Sequence, residues 1–337
     1  MTFPRRTMDL VTNVRGLLAA CVVFGATVLP PVSQAIPVSV STTSGVMLGG
    51  VKELVYQSGY TVSELDWPLL PALYAGATVD IGETAGLLAK VELQLGIPAN
   101  AGTMTDSDFL NGDGVKTHYS QADGDMESAV LLSAQAGWGI PFDISEGKTG
   151  TLEPFLSFEY VRLEWTAQNG YLQYPPETNP PFTPWSPSTP QTPVYGTVIV
   201  YTQNYLIPAI GMKGSLPILD SLTISGSFSF SPFLWCFDKD SHLLRQLDFY
   251  STMHGGILIE PRLTATYKIS GRSSVSLDLL YRHIASLIGD TYEVGTGAVG
   301  YSQIGLLAPG QQSVTYTNGA GAAMDIVSIT VSLGVSL

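Results

Sequence analysis

Strict two-residue alternation, sustained over long segments, limits what this chain can fold into more than any other feature. Near the C-terminus Val327, Ile329, Val331, Leu333, Val335 and Leu337 alternate with Ser328, Thr330, Ser332, Gly334 and Ser336. Leu222, Ile224, Gly226, Phe228 and Phe230 alternate with Thr223, Ser225, Ser227 and Ser229. The same period runs through Val275–Arg282, Leu87–Ile97 and Trp67–Ile81. Side chains of an extended backbone point to opposite faces in turn, so each segment is a strand with one oily and one polar face.

The alternation predicts ten strands, at 38–56, 60–81, 86–101, 125–139, 151–168, 197–216, 220–236, 248–269, 272–288 and 318–337. Connectors at one end are short (Gly82–Ala85, Leu216–Leu219, Ser270–Arg272) or intermediate (Gly139–Gly150). Those at the other end are long: Asn100–Gly124, Asn169–Gly196, Phe237–Leu247 and Gly289–Asn318. A soluble β-sandwich also alternates, but its strands are shorter, and the oily faces here carry almost no charge. The expected fold is therefore all-β: a ten-stranded antiparallel transmembrane β-barrel with long extracellular loops. The final strand ends in Leu337, where an aromatic residue is expected. Tyr174–Pro193 contains eight prolines and is expected to be an extended, partly disordered surface loop.

Residues 1–35 read as a signal peptide, with Arg5, Arg6 and Arg15 before the apolar run Gly16–Leu29 and a small-residue cleavage site at Ser33-Gln34-Ala35. Residues 36–337 then form the barrel. Cys21 follows Arg15 too closely to suit a lipoprotein anchor. Without residues 1–35, 12 basic and 27 acidic residues remain of the chain's 15 and 28, a net charge of −15. Such a chain repels nucleic acid and attracts cationic partners. Cys236 is the one cysteine left, so no intrachain disulfide is available.

Only 13% of residues are charged and there are four histidines, which sets two clusters apart. Asp238, Asp240 and His242 occupy alternate positions after one predicted strand, and Asp106 and Asp108 do so after another. If the first strand runs outward, every odd strand does, and both clusters reach the outer rim of a narrow barrel, facing each other. An aspartate beside a histidine can support the imidazolium and make the imidazole a general base for water. Two further carboxylates in a small site cannot easily both ionise, so one can hold a proton or polarise the water. Each pattern is also common in turns and caps, and on residues alone the reading is a hydrolase of unspecified kind. His254 and His283 read as lumen-facing or interfacial, and His118 as a loop residue within reach of a substrate. The run Asp106–Asp113 does not fit a calcium loop, with Leu110 where an oxygen ligand belongs. No metal or cofactor is expected.

Four segments, in order, resemble the omptins, outer-membrane proteases of Gram-negative bacteria. These are Lys52-Glu53-Leu54-Val55-Tyr56, Val62-Ser63-Glu64-Leu65-Asp66-Trp67, Met104-Thr105-Asp106-Ser107-Asp108-Phe109 and Asp238-Lys239-Asp240-Ser241-His242. The resemblance implies an outer-membrane endopeptidase with its site in an extracellular groove. It makes Asp240 and His242 the dyad that activates water, and Asp106 and Asp108 the opposing catalytic pair. Glu53 and Asp238 match the acidic pocket for a basic side chain before the scissile bond, so basic peptides or proteins are the implied substrates. Lys239 departs from the pattern but should face the other way, and His118 stands near where some omptins carry an acidic residue. Arg162 fits a family cluster that grips lipopolysaccharide phosphates, whereas Asn204 stands where another arginine is expected. Two other readings remain: an adhesin or receptor acting through its long loops, and a small channel.

Overall fold

The computed structural model describes residues 37–337 except 83, 146, 299, 303 and 304. The expected signal peptide, its cleavage site and Cys21 lie outside the described residues. All regular structure is β: β1 (Val38–Gln57), β2 (Tyr60–Ile81), β3 (Gly86–Gly96), β4 (Ala99–Asp108), β5 (His118–Ser145), β6 (Lys148–Gln173), β7 (Thr192–Leu219), β8 (Leu222–Ser231), β9 (Leu234–His242), β10 (Leu247–Gly255), β11 (Leu258–Lys268), β12 (Ser273–Gly295), β13 (Gly300–Ser302), β14 (Gly305–Leu307) and β15 (Tyr316–Ser336).

Pairing closes thirteen of these strands into one antiparallel barrel of two tiers, while β13 and β14 pair with each other in a separate two-stranded sheet. The lower ring runs β1, β2, β3, β5, β6, β7, β8, β11, β12, β15 and back to β1. In the upper ring β4 replaces β3, and β9 and β10 replace β8 and β11. Each tier has ten strands. The replacements occur where the sequence interrupts a strand. Pro98 and Pro232 lack the N–H a ladder needs, and Gly256 adopts a φ of +66°.

The strands therefore continue past the ends read from alternation. β5, β6 and β7 run up to His118, Gln173 and Thr192 rather than stopping at 125, 168 and 197. Asp106 and Asp108 lie within β4, not in a loop, and Phe237–Leu247 is mostly hairpin with a short turn at Leu243–Gln246. The alternation fades there because the outer wall turns polar above the lipid, so both faces read as hydrophilic. Lys52, Glu64, Asp66, Glu164 and Lys239 are at this level, beyond the apolar outer residues Leu48, Leu70, Leu95 and Phe237.

Below that level the outer wall is a band of exposed aliphatic side chains, including Leu156 (65% exposed) and Leu333 (59%). A continuous apolar surface of this kind demands lipid, and Trp235, Phe237, Trp138 and Tyr267 supply exposed aromatics on it. The lumen is filled in layers. The lower part holds a polar cavity of about 240 Å³ lined in part by Glu92, Glu159, Glu260 and Arg262. Arg282 closes it through contacts of 2.5 Å to Glu159 and to Glu260. Above lies a dry layer of Met47, Trp67, Tyr74, Met104, Trp165, Tyr201 and Leu234, all essentially inaccessible.

Candidate active site

The upper tier carries the two acidic clusters on that dry layer. β9 is paired on both edges, with Asp240 opposite Tyr201 of β7 and Phe249 of β10, so its alternation is fixed. Asp238 and Asp240 turn inward and are buried. Lys239 turns the other way, bonding Asp248 at 2.8 Å and lying over the Tyr250 ring, as the strand period predicts. His242 Nε2 lies 2.5 Å from Asp240 Oδ2, and its ring packs edge-on against Phe249.

β4 is held between β2 and β5, with Asp106 opposite Leu65 and Ser120, and Asp108 opposite Ser63 and His118. The Ser63 hydroxyl donates to Asp106 Oδ1 at 3.0 Å. Burial raises the Asp106 carboxyl well above the ordinary range, and the charges of Asp108 and Asp240 raise it further. Burial also lifts Asp108 to about 6, against the lowering effect of Ser63, His242 and Arg245. Asp240 and His242 of β9 therefore stand within electrostatic range of Asp106 and Asp108 of β4 across the mouth of the barrel.

A third carboxylate group sits beside them. Glu53, on β1 opposite Leu65, is raised well above its ordinary range, first by burial and then by Asp240, Asp238 and Asp106. Asp238 is pushed up to about 7, mainly by burial, against the lowering influence of Ser251 and Tyr201. Tyr201 donates to Asp238 Oδ2 at 3.1 Å and stacks on Trp67 at 5.0 Å, so the floor is aromatic. Glu53 Oε2, Asp238 Oδ1 and Asp240 Oδ1 are buried without a hydrogen-bond partner. Buried unpaired carboxylate oxygens are costly, and a cationic group entering here would satisfy them.

The proline-rich stretch is not loose. Tyr174–Gln191 forms a strap pinned to the loop Phe109–Thr117. Asn111 donates to the Phe182 carbonyl at 2.9 Å and accepts from the Phe182 amide at 2.8 Å. The Trp185 amide donates to the Lys116 carbonyl at 2.8 Å, and Gln173 bonds the Thr189 carbonyl at 2.7 Å. Prolines fix φ and lower the entropy lost on docking, so a composition that suggests disorder gives a stiff segment once anchors exist. The strap's first residue, Tyr174, lies in the electrostatic reach of Asp106 and Asp108.

All six candidate residues, Glu53, Asp106, Asp108, Asp238, Asp240 and His242, thus converge on one site. His118 lies at its edge. His254 and His283 face outward, the latter bonding Asp325 at 2.8 Å. Asn111 is spent on the strap and Asp113 on the Val115 amide. Sequence reasoning missed Ser63, Tyr174, Tyr201 and Arg245. Ser63 lies inside a segment already quoted and Arg245 in the turn directly after His242, but Tyr174 reaches the site through tertiary packing that no local pattern signals.

A model of the omptin family matches residues 34–333. The chain is 23% identical over 288 residues to the plasminogen activator of Yersinia pestis, covering 84% of this chain and 88% of that protein. It is 22% identical over 280 residues to the outer membrane protease OmpP of Escherichia coli (strain K12), covering 82% and 87%. The crystal structure of outer membrane protease OmpT from Escherichia coli superposes with a TM-score of 0.77 at 17% identity, over 90% of this chain and 99% of that one, a likeness of fold.

Proposed function

The chain belongs to the omptin family of outer-membrane proteases, and from that premise we propose that it is an endopeptidase cutting next to basic residues in peptides or proteins outside the cell. The observation that carries this reading is the cluster of unpartnered buried oxygens on Glu53, Asp238 and Asp240 beside the His242–Asp240 contact. An arginine or lysine side chain inserted between Glu53 and Asp238 supplies the missing donors and places the following peptide bond over the dyad.

In the proposed reaction a water sits between His242 and the Asp106/Asp108 pair. Asp240 holds His242 through Nε2, leaving Nδ1 to take a proton as the water oxygen bonds to the carbonyl carbon. The carbonyl electron pair moves to its oxygen. Asp106, raised well above the ordinary carboxyl range by burial and by Asp108, is the member of the pair suited to hold a proton and donate a hydrogen bond to the water or the oxyanion. The imidazolium then protonates the amide nitrogen as the C–N bond breaks, releasing an acid and an amine and restoring His242. No cofactor enters. Residues 1–35 act as the export signal and 36–337 as the protease domain, with the groove facing outward.

The test is hydrolysis of quenched peptides containing one arginine or lysine by refolded protein, with His242→Ala and Asp106→Ala as controls. Cleavage beside the basic residue that falls at least ~100-fold in both variants is the expected result. Equal turnover by wild type and His242→Ala sinks the reading, and intact peptide that still binds the outer loops favours an adhesin or receptor.

A further inference from the structure

Resting on the peptidase reading, we propose that Tyr174, Phe182 and His118 form a second substrate subsite, which takes an aromatic or large aliphatic side chain directly after the basic residue. The barrel places it. Asp108 lies opposite His118 across the β4–β5 ladder, and β5 continues the row to β6, whose last residue precedes Tyr174. The acidic pocket of Glu53 and Asp238 adjoins Asp240 and Asp106. Tyr174 instead feels the charges of Asp106 and Asp108, and its ring meets that of His118, which stands opposite Asp108. A chain laid across the site with its basic side chain in the acidic pocket therefore presents its next side chain to Tyr174.

The chemistry of that wall is aromatic. The His118 ring meets Tyr174 edge-on at 4.8 Å and Phe182 edge-on at 4.9 Å. Tyr174 keeps 42% of its surface exposed beside the half-buried Asp106 and Asp108, which leaves ring surface available for contact. Burial lowers the His118 pKa and favours the neutral ring, and the hydroxyl of Thr117 lies 2.9 Å from its Nδ1. Edge-to-face rings present a polarisable apolar surface that stacks with a further aromatic side chain.

The wall is also preformed. Phe182 is held by both Asn111 hydrogen bonds, and Lys116 lies over the Tyr119 and Trp185 rings at 4.9 and 5.1 Å. A preorganised surface loses little freedom on binding, so its contacts are expressed as selectivity. The strap's prolines acquire a role here: they keep two rings of a distant loop in fixed register with the Asp106/Asp108 pair.

The experiment uses the refolded full-length barrel in detergent and labelled peptides that differ only in the residue after a fixed arginine: Phe, Leu, Lys or Asp. Affinity is read by fluorescence anisotropy on His242→Ala, alone and combined with Tyr174→Ala, Phe182→Ala or Tyr174→Phe, and turnover is read in parallel on the corresponding proteins with His242 intact. The Phe and Leu peptides should bind about tenfold more tightly than the Lys peptide. That ranking should collapse with Tyr174→Ala and Phe182→Ala and survive Tyr174→Phe. A Lys peptide that binds as well as the Phe peptide, or a ranking unchanged by both alanine variants, overturns the subsite. Ranked binding without any cleavage defeats the peptidase reading alone, whereas cleavage without ranking defeats only the subsite.

Discussion

The hydroxyl of Ser63 donates to Oδ1 of Asp106 at 3.0 Å, tying β2 to the acidic pair of β4. A hydrogen bond to a carboxylate favours its charged form, and Ser63 lowers the pKa of both Asp106 and Asp108 against burial. Ser63→Ala removes that help and raises both carboxyls. If one member of the pair must be ionised, the acid limb of the kcat/KM profile moves to higher pH, by roughly half a unit to one unit. The plateau rate should change by less than about tenfold, since no reacting atom is lost. A profile that keeps its acid limb in place shows Ser63 to be structural only.

The acidic pocket should take up its basic side chain with loss of a proton. Asp238 is pushed up to about 7, and Glu53 is raised well above its ordinary value. A bound guanidinium favours the charged carboxylates, so binding and deprotonation are linked. Affinity for an arginine peptide should therefore strengthen as pH rises from about 5.5 to 8, by up to tenfold per proton released for each unit. Titration calorimetry in buffers of different ionisation enthalpy counts the protons directly. Binding that is flat across this window contradicts the assignment of the pocket.

The same burial makes Glu53 a cost to the fold at high pH. Its folded pKa lies above the unfolded value, so the folded chain binds more protons. Stability is then lost as pH climbs from the ordinary carboxyl value through the raised one. Glu53→Gln removes the charge while keeping the shape. It should stabilise the barrel at pH 8 by roughly 1–3 kcal/mol and by nothing near pH 4. Urea midpoints in detergent at the two values measure it, and a variant less stable at pH 8 disproves the sign. Function is sacrificed, because the basic side chain loses a partner.

The lipid-embedded half of the fold was legible in the sequence because one face there meets hydrocarbon and the other polar lumen. That contrast makes Val327–Leu337 or Leu222–Phe230 unmistakable. Above the lipid the contrast disappears, and β4 beyond residue 101, the upper parts of β5 to β7 and β9 beyond residue 236 read as loops. The two acidic clusters nevertheless stand out in the sequence, because Asp106/Asp108 and Asp238/Asp240/His242 keep the strand period inside those polar stretches. The strap was misread for the opposite reason. Its proline content describes what an isolated segment does, whereas Asn111 and Lys116, sixty or more residues away, decide that it is ordered.

The lumen argues against a conducting pore. Trp67, Trp165 and Tyr201 pack within 6.3 Å of one another across it, and Arg282 bridges Glu159 and Glu260 below. Bilayer recordings should show no large stable conductance. Arg282→Met leaves two buried carboxylates unpaired and should cost about 3–5 kcal/mol. It should still not open a channel, because the aromatic layer above is untouched. Steady conductance in the wild type would displace the packed-lumen account.

Dependence on lipopolysaccharide should be weak in this barrel, and the reason lies on the outer wall. Arg162 already has partners: its Nη2 lies 2.5 Å from Glu164 Oε2, and its Nη1 donates to Asn204 at 3.2 Å. Tyr160 donates to the same Asn204 oxygen at 2.8 Å. A phosphate approaching this patch meets one cation, an adjacent carboxylate and an amide, where two arginines are expected by resemblance. One partly exposed ion pair contributes at most about 1 kcal/mol, so lipopolysaccharide added to the refolded protein should alter peptide turnover less than about fivefold. Arg162→Ala should leave that small response unchanged. Asn204→Arg combined with Glu164→Gln supplies a second cation and removes the competing charge, and should create a lipopolysaccharide response where the natural wall has little. Strong activation of the unaltered protein that disappears with Arg162→Ala would instead make Arg162 a phosphate ligand despite its acidic neighbour.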